Sequence, residues 1–422
     1  MWLINNGPAL LTDLYELTMA QVYFGKQMRG PACFEVTVRR LPDNWGFFLM
    51  AGLSELESYL ARFHFTKADL RYLRSTGIFS ADFLEHLSTV RADVKVRSAP
   101  EGTVFFPHEP VLEVTGPLIC AQLLESYILN ILGFSIIEVT LAARIAIASR
   151  GLPVIDFGLR RCQGPVASVR SARAAQIAGL KATSNVFAAS HLDFAPAGTM
   201  AHSFIQVHDC EEDAFRNFAE TYGENSILLV DTYDSAVGIK RAAKVARQIF
   251  HDKGVRIRGI RIDSGDFVAL SKFARDCFRE ENVPFLKIFV SGDLDEFKIH
   301  DLLEQGAQID GFGVGTRFAV SRHAPAIEIV YKLVQYADKG LSKSSPDKQT
   351  RPGRKMITRF KDKYYTHDVV SPLVSGADDL LQPFESAEPI QTIQQRLLSE
   401  LSLLEDSVKA IKSPTKYPVE FA

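Results

Sequence analysis

Five segments of the chain repeat one pattern, in which a short apolar run is followed by a polar or glycine-containing turn and then by a helical stretch. This alternation predicts parallel strands that are connected by helices. The C-terminal ends of such strands meet at one edge, where barrels and open α/β sheets both place their active sites. We favour a barrel over an open sheet. The segments are VIDFG (154–158), ILLVDT (227–232), IRGIRIDSG (257–265), LKIFVSGD (286–293) and IDGFGVGT (309–316).

The chain on either side of these repeats has a different pattern. FEVTVRR (34–40) alternates apolar and polar residues, which predicts a strand with one solvent-exposed face. EGTVFFPHEPVLEVTGP (101–117) is interrupted by prolines and predicts short antiparallel or edge strands. We group the two as an accessory β region. Later in the chain, IEIVYKLVQY (327–336) again predicts a strand, and LSKSSPDKQTRPGRK (341–355) an exposed loop.

Helices are predicted near both ends of the chain. Asp13 is followed three residues later by Glu16, a spacing that favours a capping box at the start of an amphipathic helix. Tyr15 then lies on the first turn of that helix. Long helices are predicted from about Leu118, and a final helix from about Ile390 to Ile411.

Length and composition narrow the classes of function. The 422 residues exceed the usual size of one domain, and the net charge of −2 gives no general attraction to nucleic acid or to an anionic membrane. The five cysteines are scattered and never form a C-x-x-C pair, so we expect a reducing compartment, the cytoplasm. We expect neither an export signal nor a membrane span, because charged residues interrupt the most apolar segment, 118–149.

Three of the predicted strand ends carry residues that suit a phosphate. RIDSGD (261–266) and VSGDLDEF (290–297) combine a Ser-Gly turn with carboxylates, and GFGVGTRF (311–318) allows backbone amides to approach an anion closely. Asp263 or Ser264 fits a helix cap equally well, and most glycines only satisfy backbone geometry. Two successive turns after the last two strands nevertheless resemble the phosphate site of many barrels.

Other strand ends offer an aromatic ring, cations and carboxylates. Phe157 in DFGLRR (156–161) can stack on a flat ring or pack in the core, and the arginines beside it can bind a carboxylate or simply be solvated. Asp231 and Asp234 in VDTYD suit ribose hydroxyls, magnesium or helix caps. His202 has no partner motif, and a lone histidine is more commonly structural. No hydrolase triad, zinc motif or Rossmann GxGxxG is present in the sequence.

Taken in order, these motifs resemble the nicotinate phosphoribosyltransferase family from about residue 8 to residue 356. Each motif is short, but their order makes a chance match improbable, and the ending YPVEF (417–421) is similar too. The motifs are LLTDLYELTMAQVYF (10–24), FEVTVRRLP (34–42), DFGLRR (156–161) with Gln163 and Gly164, TSNV (183–186), GTMAHSF (198–204), VDTYD (230–234), RIDSGD (261–266), VSGDLDE (290–296), GFGVGT (311–316), VYKLV (330–334) and PGRK (352–355).

The resemblance implies the fold of type II phosphoribosyltransferases, an α/β fold. In it an irregular (β/α) barrel, residues 131–325, lies beside an accessory α/β domain built from both chain ends. Residues 1–130 would form the N-terminal part of that domain, and residues 326–422 its C-terminal part with the terminal helix. The resemblance also implies a homodimer.

The family pattern further implies the residues of the acceptor site and of the phosphorylation site. Tyr15 and Phe157 would sandwich the pyridine ring, with Tyr15 supplied by the other subunit. Ser184 would lie near the nicotinate carboxylate. His202 matches a histidine that family members phosphorylate transiently from ATP.

The remaining implied residues would bind phosphoribosyl pyrophosphate (PRPP). Arg160 and Arg261 would hold anionic groups, and Asp231 and Asp263 would face the ribose and its magnesium-bound diphosphate. The 5′-phosphate would be bound by Ser291, Gly292, Gly313, Gly315 and Thr316. Two departures are visible: the family commonly reads RRAQGPDG where this chain reads RRCQGPVA (160–167), and an aspartate often stands near the position of His323.

The implied reaction transfers phosphoribosyl from PRPP to the ring nitrogen of nicotinate, yielding nicotinate mononucleotide and pyrophosphate for NAD biosynthesis. ATP hydrolysis would accompany it, which places the enzyme among the ligases although its chemistry is glycosyl transfer. Three rivals are a nicotinamide-using relative, a sugar-phosphate lyase or isomerase, and a ligand-sensing pseudoenzyme. Ser184 disfavours the first, because an amide needs an acceptor such as aspartate. The absence of a lysine from the five strand ends disfavours the second.

Overall fold

The structure is a computed structural model that describes residues 8–345 and 350–422. Single turns of 3-10 helix lie at Pro8–Leu10, Leu159–Arg161 and Gly223–Asn225. The strands are β1 Pro31–Val38, β2 Phe48–Leu49, β3 Lys95–Ser98, β4 Val104–Phe105, β5 Pro110–Pro117, β6 Val154–Asp156, β7 Ala182–Thr183, β8 Ile227–Leu229, β9 Gly259–Ile262, β10 Lys287–Val290, β11 Gly311–Val314, β12 Ile329–Tyr336, β13 Lys339–Gly340, β14 Lys355–Lys361, β15 Tyr365–Pro372, β16 Gln382–Pro383 and β17 Val419–Phe421.

The helices complete the described elements. They are α1 Leu14–Gly25, α2 Leu53–Arg62, α3 Lys67–Ser75, α4 Ala81–Thr89, α5 Leu118–Gln122, α6 Glu125–Ala148, α7 Pro165–Ile177, α8 Val186–Leu192, α9 His202–Gln206, α10 Glu211–Tyr222, α11 Ser235–Lys253, α12 Phe267–Glu280, α13 Glu296–Glu304, α14 Thr316–Ala319, α15 Ile390–Leu403 and α16 Asp406–Lys409.

The described chain forms two compact units, one of residues 138–322 and the other of the segments before and after it. The unit of residues 138–322 is built on a parallel sheet with the order β7-β6-β11-β10-β9-β8. All five strands predicted from the repeats are confirmed. Strand β7 was missed, because its two residues carry no periodic signal. The sheet curls into a half-barrel, and within the described residues β7 and β8 do not pair with each other.

The other unit contains a second sheet, with the order β13-β12-β1-β5-β3-β16. Strand β1 pairs with β5 and β12, both antiparallel, so the grouping of 34–40 with 101–117 is confirmed. The expectation of a solvent-exposed face on β1 is wrong, because Glu35 is buried and receives a 2.7 Å hydrogen bond from Lys355 Nζ. Strand β5 is an interior strand rather than an edge, and its prolines lie at its two ends.

The predictions for the chain ends are corrected in detail. Helix α1 begins after Asp13, but the capping box does not form. Glu16 instead accepts hydrogen bonds from Thr12 Oγ1 at 2.6 Å and Ser126 N at 3.1 Å. The predicted loop 341–355 ends at Lys355, which is buried at the start of β14, and residues 346–349 of that loop lie outside the described residues. The predicted final helix breaks after Leu403 into α15 and α16.

One helical stretch in the described chain, Leu118–Ala148, is long and apolar enough to cross a membrane by length and composition. Its most apolar window is 78% buried inside the protein, which is also what a core helix of a soluble protein looks like.

Candidate active site

Two aspartates that follow strands of the parallel sheet do not cap the next helix, because another aspartate nearer to each helix does so. Helix α11 is capped by Asp234, which accepts from Val237 N at 2.8 Å. Helix α12 is capped by Asp266, which accepts from Val268 N and Ala269 N at 3.0 Å. The alternative reading of Asp263 as a helix cap is therefore wrong, because the residue directly before α12 fills that role.

The two aspartates that do not cap a helix, Asp231 and Asp263, are linked by hydrogen bonds across the ends of β8, β9 and β10. Asp231 Oδ2 accepts from Asp263 N at 3.0 Å and from Ser264 Oγ at 2.6 Å. Asp263 in turn accepts a hydrogen bond from the hydroxyl of Ser291. Asp231 Oδ1 is buried and has no hydrogen-bond partner among the described residues. The structure thus brings together three of the predicted site residues, with one carboxylate oxygen left unsatisfied.

Arg261 lies on β9 with its guanidinium among these groups. It donates to Thr199 Oγ1 at 2.5 Å and to Met200 O at 3.2 Å, while its buried Nε has no partner among the described residues. Burial lowers the pKa of Arg261, the charges of Asp263 and Asp231 raise it, and Arg160 lowers it again. The two predicted anion-binding arginines therefore lie within electrostatic range of each other, although Arg160 itself is exposed.

Two glycines at the strand ends leave no room for a side chain. Gly292 has a φ of +98°, and a Cβ there would lie 1.9 Å from Asp263 O. A Cβ on Gly313 would lie 2.5 Å from the ring of Phe157, so that ring packs directly on the backbone of β11. Gly315 and Thr316 begin the short helix α14, and Thr316 is exposed.

The remaining predicted residues of this unit lie on neighbouring elements. Phe157 and Ser184 directly follow β6 and β7, and both are half-buried. His202 begins α9, and its Nδ1 lies 3.1 Å from the hydroxyl of Thr232, the residue after Asp231. Tyr15 belongs to the other unit, on α1, where its side chain is 46% exposed and its hydroxyl interacts with Glu125.

Comparison with known proteins identifies what kind of enzyme has this arrangement. Residues 10–133 match the family model of the nicotinate phosphoribosyltransferase (NAPRTase) N-terminal domain, and residues 152–366 match the model of the nicotinate phosphoribosyltransferase (NAPRTase) family. The chain belongs to the nicotinate phosphoribosyltransferase family. The fold class, the family and the nicotinate phosphoribosyltransferase activity predicted from the sequence are confirmed.

Relatives from distant organisms agree with this assignment. Nicotinate phosphoribosyltransferase pncB2 of Mycobacterium tuberculosis is 43% identical over 83% of this chain and 75% of its own. The nicotinate phosphoribosyltransferase of Bacillus subtilis is 35% identical over 99% of this chain and 94% of its own. The crystal structure of human nicotinic acid phosphoribosyltransferase superposes with a TM-score of 0.83 at 25% identity, covering 98% of this chain and 97% of the human one.

Some residues of this nicotinate phosphoribosyltransferase site were missed by the sequence analysis. Thr199 and Thr232 contact Arg261 and His202, but single threonines in loops carry no pattern. Arg317, beside Thr316, was not singled out, and both Asp293 and Asp295 pair with it. Asp156 was visible directly before Phe157, and its buried position is what distinguishes it from the exposed acids.

Proposed function

We propose that this chain transfers phosphoribosyl from PRPP to the ring nitrogen of nicotinate, releasing pyrophosphate, with ATP hydrolysis coupled to the reaction in the cytoplasm. The observation that carries the proposal is the row of groups across the strand ends, where the linked Asp231 and Asp263 lie beside Arg261 and the turn at Gly292. Such a row offers cations and amides to phosphates and carboxylates to a ribose. The location is supported by the five cysteines, all of which are unpaired.

For this reaction the site has to position the two substrates and stabilise the charge of the transition state. A pyridine nitrogen already carries the lone pair that attacks C1 of the ribose, so no general base is needed. The transition state resembles an oxocarbenium ion, which nearby carboxylates stabilise. The unsatisfied atoms Asp231 Oδ1 and Arg261 Nε are buried groups of opposite charge that a bound substrate can satisfy.

The acceptor end is assigned to Phe157 and Ser184. The hydroxyl of Ser184 makes no hydrogen bond to any residue in the described part of the chain, so it is free to meet the carboxylate of nicotinate. Phe157 packs on Gly313 but is only half-buried, so part of its ring is available to stack on a pyridine ring.

Asp231 and Asp263 also fit a role in holding magnesium. Within residues 8–345 and 350–422 no cluster of three or more His, Cys, Asp or Glu side chains could bind a metal alone. An ion shared between substrate phosphates and one or two carboxylates is the usual arrangement for Mg²⁺, and the unpaired Asp231 Oδ1 fits it. Magnesium, when bound, would neutralise charge on the pyrophosphate that leaves.

ATP coupling is assigned to His202 through a transient phosphohistidine. If Nδ1 is held by the Thr232 hydroxyl, Nε2 is left for the phosphoryl group. A phosphorylated His202 would introduce negative charge beside Thr232, the residue that follows Asp231. Coupling follows if the two forms of the enzyme bind substrates and products with different affinities.

We further propose a homodimer in which Tyr15 of one subunit completes the acceptor site of the other. Helix α1 carries three exposed apolar side chains, Leu14, Tyr15 and Val22, which is the surface that a partner would cover. Mixing the inactive variants Tyr15→Ala and Asp263→Ala should restore part of the activity through hybrid dimers. A fully active monomer at assay concentration would contradict the shared site.

The activity itself is tested by incubating the purified protein with PRPP, magnesium and either nicotinate or nicotinamide, with and without ATP. The proposal expects nicotinate mononucleotide, a marked preference over nicotinamide, and stimulation by ATP. Formation of nicotinamide mononucleotide at an equal rate would contradict nicotinate as the preferred acceptor. A yield that is the same with and without ATP would contradict the coupling.

A further inference from the structure

Asp156 is a buried carboxylate at the end of β6, between the two turns that carry Phe157 and Ser184. We infer that Asp156 is a positioning residue for the acceptor, because one carboxylate fixes both turns and so fixes the distance between the stacking ring and the serine. The inference rests on the acceptor roles proposed above for Phe157 and Ser184.

On the side of Phe157, the carboxylate closes the turn around that residue. Asp156 Oδ1 accepts a hydrogen bond from Gly158 N at 2.7 Å, which spans Phe157. Phe157 N donates to Val314 O of β11 at 2.7 Å. The backbone of Phe157 is therefore held on both sides, and its ring is directed onto Gly313.

On the side of Ser184, the same carboxylate holds the two-residue strand β7, whose Thr183 backbone also donates to Ala195 O at 3.0 Å and accepts from Ala197 N at 2.9 Å. Only two residues of β7 pair with β6. Asp156 Oδ2 accepts from the Thr183 hydroxyl at 2.7 Å, and the Thr183 oxygen accepts from Asn185 N at 3.1 Å. Ser184 N donates to Asp156 O at 2.7 Å. The backbone on both sides of Ser184 is thus fixed, while its hydroxyl stays unpaired among the described residues.

The Thr183 hydroxyl is the link through which Asp156 reaches the serine turn. It donates to Asp156, and its oxygen therefore accepts from Asn185. Thr183 is itself fully buried, and a valine there would keep its shape while removing both bonds. Apart from Arg160, which follows β6, the groups assigned to PRPP lie at the ends of β8 to β11, so loosening β7 should disturb nicotinate and spare PRPP.

The test compares Thr183→Val with Thr183→Ser in steady-state kinetics. Loss of a buried hydrogen-bond partner should raise the KM for nicotinate by about ten-fold in the valine variant. The KM for PRPP should stay within about two-fold, and the serine variant should restore the nicotinate KM. Asp156→Asn, which keeps only one acceptor oxygen, should shift the nicotinate KM in the same direction. A purely structural role would instead lower the active fraction and leave both KM values alone.

Asp310→Asn provides a matched control. Asp310 also joins two strands of this sheet through its carboxylate, which accepts from Ile288 N at 2.7 Å, but it does so at the opposite edge, where β10 and β11 begin. Its loss should lower the melting temperature without changing either KM.

Two further variants separate failure of the inference from failure of the proposed acceptor site. If Phe157→Ala and Ser184→Ala raise the nicotinate KM and Thr183→Val does not, the positioning role of Asp156 is overturned alone. If neither Phe157→Ala nor Ser184→Ala changes that KM, the acceptor site is misplaced and the inference falls with it. Equal increases in both KM values in Thr183→Val would also overturn the inference.

Discussion

Gly292→Ala should inactivate the enzyme through the position of Asp263 rather than through loss of folding. A Cβ at residue 292 would lie 1.9 Å from Asp263 O, whereas real contacts of this kind begin near 3 Å, so the chain must separate by about 1 Å. Asp263 is assigned to the ribose, and a displacement of about 1 Å near reacting groups can reduce the rate by roughly 100-fold. We therefore expect kcat/KM for PRPP to fall by about two orders of magnitude.

The same substitution also forces alanine into a left-handed backbone conformation, since φ at Gly292 is +98°. That strain costs about 1–2 kcal/mol by itself. Gly306→Ala measures it separately, because Gly306 has a φ of +73° in the same unit and a Cβ there would meet nothing within 4 Å. The assay is the KM and kcat for PRPP in both variants, with melting temperatures alongside. If Gly292→Ala resembled Gly306→Ala in both kinetic constants, the placement of Asp263 by this turn would be refuted.

His202→Asn should abolish ATP stimulation and the acid-labile phosphoenzyme while leaving slow ATP-independent synthesis; a phosphoenzyme that persists would move the modification elsewhere. Ser184→Asp should raise the nicotinate KM by about five-fold or more through repulsion between carboxylates, and unchanged kinetics would remove Ser184 from the site. Lys355→Met should lower the free energy of unfolding in urea by about 3 kcal/mol because it leaves Glu35 buried and unpaired, whereas adding Glu35→Leu should recover most of the loss. Burial raises the pKa of Glu138 from its ordinary 4.5 to about 8, so the wild-type protein loses stability as pH rises between these values and Glu138→Gln should not. The melting temperature of the wild type should therefore fall relative to that of Glu138→Gln from pH 5 to pH 8. A difference between the two proteins that stays constant would contradict the raised pKa.

The fold was largely predictable because its signals are local. Each strand of the parallel sheet except β7 is an apolar run closed by a polar turn, and a reader of the sequence sees both parts together. Strand β7 has two residues, which pair with β6 and, at Thr183, with Pro196, so it depends on tertiary contacts that no short window contains.

The errors came from side chains whose partners are distant in sequence. Asp13 and Glu16 have the spacing of a capping box. Ser126, however, donates hydrogen bonds to both carboxylates, and neither of them caps the backbone of α1. Glu35 looked like the polar half of an alternating strand, and only Lys355, 320 residues later, makes its burial possible. Neither partner can be chosen from local pattern.

The active-site residues illustrate a related limit. Asp263 and Asp266 both precede α12, and composition alone lets either one cap it; the backbone of the turn gives the cap to Asp266. Asp263 is then turned toward Ser291, which directly follows the neighbouring strand, because the parallel register of β9 and β10 places their ends side by side. The sequence therefore predicts which polar residues lie at the strand ends. Which of them face one another depends on the pairing and register of the strands in the sheet.

Two polar atoms at these strand ends are left without partners in the described part of the chain, which affects the stability of the empty site. A buried carboxylate oxygen or guanidinium nitrogen without a partner costs about 1–3 kcal/mol in the free protein, and Asp231 Oδ1 and Arg261 Nε are both of this kind among the described residues. Neighbouring side chains could have satisfied them, as the carboxylate of Asp368 does for Arg359 Nε at 3.0 Å in the other unit. Leaving them unsatisfied destabilises the empty site, and a substrate that pairs with both atoms recovers that free energy on binding. The two atoms lie at the ends of the same pair of strands, β8 and β9, so a ligand that carries both an anion and hydroxyl groups satisfies them together. A phosphorylated ribose has that composition.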